Sequence, residues 1–122
     1  MNRISITTAA GLVLLAATAH AHHSFSMFDN EKNQELDGIV KEFQWTNPHI
    51  WIQVNVKSAD GKVVEYSVEG GSPNALRRQG WTKDLLKPGD HVVLTMHPLK
   101  DGSPGGSFTR GTVNGAPIGG GP

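Results

Sequence analysis

The chain has 122 residues, with 11 basic and 11 acidic side chains and no cysteine. This length is enough for one small domain with one modest core. The balanced charge lacks the basic footprint of a nucleic-acid-binding protein, and the lack of cysteine excludes disulfides, thiol catalysis and thiolate metal sites.

Residues 1–21 have the pattern of a secretory signal peptide. Arg3 provides a positive charge, residues 11–17 form a short apolar run, and Ala19 and Ala21 have the small-residue spacing that signal peptidases cleave. The run is shorter than the roughly 20 apolar residues of a membrane-spanning helix. We therefore expect cleavage after Ala21, with cleavage after Ala19 left open. The product is a periplasmic protein that begins at His22 and is not inserted in the membrane.

Alternating apolar residues predict five strands, at residues 36–45, 50–57, 62–69, 91–97 and 107–113. Residues 72–80 predict a short helix, with a capping serine, a proline at the first helical position and a final glycine. Gly38 is expected to mark a bend or bulge in the first strand. The residues expected to face the core are Ile39, Ile50, Ile52, Val54, Val64, Val68, Leu76, Val92 and Leu94.

Three strands, one helix and two further strands predict an all-β domain over residues 22–113. The order is that of a small five-stranded OB-like Greek-key barrel, with a small β-sandwich as the alternative. Residues 114–122 contain four glycines and two prolines and predict a disordered tail.

Six short motifs are spread over this domain. They are HHSFxMFD at 22–29, GxVxEFxWTNPH at 38–49, EGGSPNxL at 69–76, GW at 80–81, KPGD at 87–90 and HPLxDG at 97–102. Together they resemble the exported bacterial proteins of domain-of-unknown-function family 6152. The resemblance implies export and a single domain, and it names no reaction or substrate.

The candidate metal ligands are His22, His23, His49 and His97. A histidine at the N-terminus offers its α-amino and ring nitrogens to one ion, and one further imidazole completes a planar three-nitrogen site that suits Cu(II). His49 and His97 stand at predicted ends of strands, on the barrel rim, where either can be the third ligand. Cleavage after Ala19 places a histidine third in the chain instead, an arrangement that binds copper or nickel in a square plane.

Trp45, Trp51 and Trp81 are the candidate ligand face. The sequence contains no oxyanion motif or nucleophile–base arrangement, so a binding protein is expected rather than an enzyme. The first hypothesis is a periplasmic copper protein that carries, buffers or delivers the ion to a protein partner, without nucleic acid. The alternatives are a metal-free module that holds a peptide, glycan or small apolar ligand on the tryptophan face, and a copper-dependent oxidase or oxygenase.

Overall fold

The computed structural model of the protein describes residues 27–119. Its strands are β1 (Gln34–Gln44), β2 (Trp51–Lys57), β3 (Val63–Glu69), β4 (His91–Pro98), β5 (Gly105–Val113) and β6 (Ala116–Pro117), and its helix is α1 (Pro73–Arg78). The predicted order of five strands and one helix is confirmed, with β6 added at the end. In this part of the chain no helix is long and apolar enough to cross a membrane.

The strands form one sheet in the order β3, β2, β1, β4, β5, β6, and all these neighbours are antiparallel. The sheet closes on itself because β3 also pairs in parallel with the start of β5, where Ser67 lies opposite Gly105 and Glu69 lies opposite Ser107. Closure protects backbone groups that an open sheet leaves unpaired at its edges. The predicted OB-like barrel is therefore confirmed, rather than the two sheets of a sandwich.

The inward face of β1 differs from the prediction. Leu36 and Val40 are buried, so Ile39, which alternates with them, points outward and is 44% exposed. Its predicted place in the core is wrong. The irregularity expected at Gly38 lies instead after Val40, where the register with β2 shifts by one residue and the inward phase passes to Phe43.

The other predicted core residues are buried, except for Val64, which is half-buried. Helix α1 buries Pro73 and Leu76 and brings Leu76 into the core cluster. The helix begins as predicted, because the Ser72 hydroxyl accepts a hydrogen bond of 3.2 Å from the Ala75 N–H and Pro73 occupies the first turn. The buried cluster consists of Leu36, Val40, Ile50, Ile52, Val54, Val68, Leu76, Trp81, Leu86, Val92, Leu94 and Met96.

Residues 114–119 continue the fold, in contrast to the disordered tail predicted for residues 114–122. Asn114 and Gly115 have φ values of 48° and 84°, and positive φ at both positions is what a two-residue hairpin turn requires. The turn returns the chain along β5, where the Ile118 N–H donates to the Gly111 carbonyl at 2.9 Å. The prediction followed composition and overlooked the Asn-Gly hairpin signal; residues 120–122 lie outside the described range.

Candidate functional site

The four histidines predicted as metal ligands fall into two groups. His22 and His23 lie outside the residues that the structure describes. His49 lies in the loop between β1 and β2, two residues before β2 begins, and His97 is the next-to-last residue of β4. The Thr46 hydroxyl donates to the His49 carbonyl at 2.9 Å, which folds the short loop back toward the start of β2.

The ring of His97 is held by the main chain ahead of β1. Its Nδ1 lies 2.8 Å from the carbonyl oxygen of Lys32. A carbonyl oxygen can only accept, so Nδ1 carries the hydrogen and, in the neutral ring, Nε2 keeps the lone pair. His97 therefore offers a ligating nitrogen on a ring whose orientation is already set.

The chain enters the described fold next to β4. Asp29 N–H donates to the Pro98 carbonyl at 2.8 Å, and Lys100 N–H donates to the Met27 carbonyl at 2.9 Å. Residues 27–32 thus run antiparallel to the end of β4, past His97. Met27, the first described residue, therefore lies beside the chain that follows β4.

His49 has an acidic partner that the sequence did not indicate. Its Nδ1 lies 2.6 Å from Oε1 of Glu69, and the two side chains are 42% and 18% exposed. Glu69 is the last residue of β3 and lies opposite Trp51, the first residue of β2. This register brings Glu69 beside His49, which lies two residues before Trp51. Only the strand pairing places the two residues together.

Glu69, the partner of His49, lies in the same cross-strand row as His97. Glu69 pairs with Ser107 of β5, and Ser107 pairs with His97 of β4. Neighbouring strands are about 4.8 Å apart, so the Cα atoms of Glu69 and His97 are roughly 10 Å apart. Within residues 27–119 no three His, Asp or Glu side chains are grouped closely enough to hold a metal ion. The rim provides single imidazoles.

The third described histidine lies elsewhere. His91, the first residue of β4, places Nε2 2.7 Å from Oδ1 of Asp37 on β1. Both side chains are at least half exposed. This pair is at the opposite end of β4 from His97, and it provides a natural comparison for the rim histidines.

Trp45 and Trp81 lie together, as the predicted ligand face requires. Trp81 is only 3% exposed and belongs to the core, yet it and Trp45 line a groove of about 460 Å³ with Arg77 and Lys83. The Arg77 guanidinium lies 5.6 Å from the Trp45 ring centre, which is cation–π geometry. The Trp45 indole N–H is buried without an acceptor among the described residues.

Trp51 does not share that groove. It points outward from β2, between Gln44 of β1 and Glu69 of β3. Beside it, the Ser67 hydroxyl donates to Gln53 Oε1 at 2.6 Å, and Gln53 Nε2 donates to Gln44 Oε1 at 3.3 Å. The tryptophan face expected from the sequence is therefore divided between two surfaces, and the polar network beside Trp51 was not anticipated.

A larger groove, of about 590 Å³, runs along β4, β5 and β6. Its lining includes Trp81, Phe108 and Ile118 on the apolar side and Glu35 and Arg110 on the polar side. The sequence analysis did not anticipate this groove, because β6 and Ile118, which form one wall, fall in the predicted tail.

Comparison with known proteins completes the description. A sequence model described as a family of unknown function (DUF6152) matches residues 9–108. No curated protein sequence matches the chain. The mitochondrial single-stranded DNA binding protein Rim1 from S. cerevisiae is structurally similar, with a TM-score of 0.52 and 9% identity over 70% of this chain and 95% of that one. At this identity the similarity supports the barrel fold alone.

Proposed function

The chain belongs to the DUF6152 family of unknown function, as its motifs indicated, and we propose that its exported form binds one Cu(II) ion. After cleavage behind Ala21, the ligands are the α-amino and ring nitrogens of His22 and the imidazole of a rim histidine. The role is carriage or buffering of the ion in the periplasm, or its delivery to a protein partner there.

The observation that carries this proposal is the hydrogen bond between His97 Nδ1 and the Lys32 carbonyl, 2.8 Å long. Metal-binding histidines commonly donate their second ring N–H to a carbonyl or carboxylate, which fixes the tautomer and the ring orientation. His97 has this arrangement, with the Lys32 carbonyl as the acceptor. A fixed third ligand reduces the ordering cost that weakens a flexible chelate.

Chain length is compatible with a shared site. His22 precedes Met27 by five residues, a span of at most about 17 Å when fully extended. The Lys100 N–H donates to the Met27 carbonyl, and His97 lies three residues before Lys100, no more than about 11 Å away along the chain. The N-terminal nitrogens are therefore within reach of His97 Nε2.

His49 is the second candidate for the third ligand. Its Nδ1 contacts Glu69 at 2.6 Å, which resembles the carboxylate–histidine–metal arrangement of many metal sites. The choice between His97 and His49 rests on anchoring, because residues 27–32 run directly beside His97. We therefore favour His97.

Intact mass spectrometry of the exported protein, with and without copper, tests the N-terminus and the stoichiometry together. We expect a chain that starts at His22 and takes up one copper ion. Three variants then test the ligands: an alanine inserted before His22, His97→Ala and His49→Ala. His91→Ala is the matched control, since it removes an exposed histidine that also contacts a carboxylate.

Electron paramagnetic resonance provides the readout for the site. The inserted alanine displaces the amine from its chelate, so we expect lower copper affinity and a changed nitrogen hyperfine pattern. His97→Ala, or His49→Ala if that ring is the ligand, should remove one nitrogen, whereas His91→Ala should match the wild type. Unchanged affinity and hyperfine structure in the insertion variant and in both rim variants contradict the proposal.

A second candidate function is metal-free binding of a small, largely apolar ligand that carries an acceptor oxygen, in the groove lined by Trp45 and Trp81. The buried Trp45 indole N–H without a described acceptor supports it, because an unpaired buried donor is costly and a ligand oxygen can satisfy it. With benzoate as the probe, we expect the Trp45 indole N–H resonance to shift in wild type and to shift less in Arg77→Ala. No shift at millimolar benzoate counts against this candidate.

A further inference from the structure

We propose that the outer face of β1, β2 and β3 binds a neutral oligosaccharide. We call the surface formed by Gln44, Trp51, Gln53, Ser67 and Glu69 the outer face. It is separate from the groove at Trp45 and Trp81, and the inference does not depend on copper binding.

The fold places this surface where small barrels of this type meet extended ligands. OB-type barrels bind oligonucleotides and oligosaccharides across strands 2 and 3 and the adjoining loops. Here the pairing of β1, β2 and β3 puts Gln44, Trp51 and Glu69 in one cross-strand row. Gln53 and Ser67 form the next outward row, about 6.6 Å along the strands.

The side chains on this face have the chemistry that a sugar ring requires. The half-buried indole of Trp51 offers a flat apolar surface with a polar edge. Amide groups both donate and accept hydrogen bonds, as sugar hydroxyls do. Gln44 keeps its own amide N–H groups free of described partners, Gln53 keeps one further N–H, and Glu69 keeps its second carboxylate oxygen.

Hydrogen bonds within the outer face restrain its side chains. Ser67 donates to Gln53 at 2.6 Å, and Gln53 donates to Gln44 at 3.3 Å. These two hydrogen bonds restrain the side chains of Gln44 and Gln53, which otherwise have many rotamers. Less conformational entropy is then lost when a ligand binds.

The charge around the outer face favours an oligosaccharide over an oligonucleotide. The outward positions of β1, β2 and β3 carry two ammonium groups, Lys41 and Lys57, against five carboxylates: Glu35, Asp37, Glu42, Glu65 and Glu69. Lys41 is already paired with Glu65 at 2.9 Å. Nucleic-acid grooves instead present an excess of cations to the phosphates. A net acidic face with amides and one tryptophan complements a neutral sugar.

The test uses the metal-free mature chain with cellohexaose and maltohexaose as separate probes and oligothymidylate as the competing class. We expect at least one sugar to shift the side-chain amide resonances of Gln44 and Gln53 in ¹⁵N-correlated spectra. Trp51→Ala should weaken binding about tenfold, equivalent to about 1.4 kcal/mol for one aromatic contact. Gln53→Ala provides a second variant that leaves the tryptophan in place and should also weaken binding.

Ile39→Ala is the matched control, since Ile39 is an exposed apolar residue on the outer side of β1. It should bind sugar as the wild type does. Three results overturn the inference: no shift with either sugar at millimolar concentration, sugar binding unaffected by Trp51→Ala and Gln53→Ala, or tighter binding of oligothymidylate that weakens with salt. Because no copper is present, these outcomes are independent of the metal proposal.

Discussion

Replacing Ile52 by alanine tests the assignment of the inner face of β2. Ile52 is 0% exposed, and it lies opposite Phe43 of β1 and Val68 of β3. The substitution removes the side-chain carbons beyond Cβ, each worth about 0.8 kcal/mol of transfer free energy. The cavity left in a packed core adds to this loss, so we expect the free energy of unfolding to fall by about 2–5 kcal/mol.

Ile39→Ala is the matched control, because it makes the same chemical change at a strand position that is 44% exposed. Its cost should be about 0.5 kcal/mol or less. Urea unfolding followed by tryptophan fluorescence measures both variants, and the midpoint should fall for Ile52→Ala without a change in m-value. Thermal unfolding should show a decrease of about 12–24 °C for a loss of about 3 kcal/mol. Equal losses in the two variants refute the assigned faces of β1 and β2.

Two further predictions concern local structure. Ser72→Ala removes the hydroxyl that accepts from the Ala75 N–H, so unfolding in urea should show a loss of about 0.5–2 kcal/mol; an unchanged midpoint would mean that the cap does not stabilise α1. Hydrogen bonds to the Asp60 carboxylate lower its pKa from the ordinary value of 3.8; the Ser58 hydroxyl has the larger effect and the Lys62 N–H the smaller one. These interactions stabilise the fold above that value and are lost as pH falls through the lower folded pKa, so carboxyl NMR titration should place the Asp60 midpoint below 3.8 in wild type and closer to 3.8 in Ser58→Ala. Identical titrations in the two proteins would contradict the assigned cause.

Local sequence patterns predicted most of the barrel. The alternation of Ile50, Ile52 and Val54 identified the inner face of β2, and Ser72 and Pro73 identified the start of α1. These signals act between neighbouring residues, through side-chain alternation and helix capping, so they can be read without knowing the fold. The same reasoning located His49 and His97 next to strand ends, where the structure has them.

The phase of β1 shows where such reasoning fails. Ile39 is as apolar as its buried neighbours Leu36 and Val40. Hydropathy alone therefore does not show which of these residues face the core. The one-residue register shift after Val40 depends on pairing with β2, which is distant in the chain. In contrast, the β5–β6 hairpin has a local signal, the Asn114-Gly115 pair, which is typical of a two-residue hairpin turn. This signal predicts the hairpin when it is given more weight than the glycine and proline content of the tail.

By itself, the sequence determined the class of the fold and the helix start, and it supplied the histidines that we propose as metal ligands, because each of these inferences depends on residue type and short spacing. The tertiary structure decided what surrounds those residues. Only strand pairing sets His49 beside Glu69, and only the course of residues 27–32 sets the Lys32 carbonyl on the ring of His97. The fold likewise separated Trp51 from Trp45 and Trp81, since Trp51 lies on the outward side of β2 whereas Trp45 follows β1 and Trp81 follows α1, where the two line one groove.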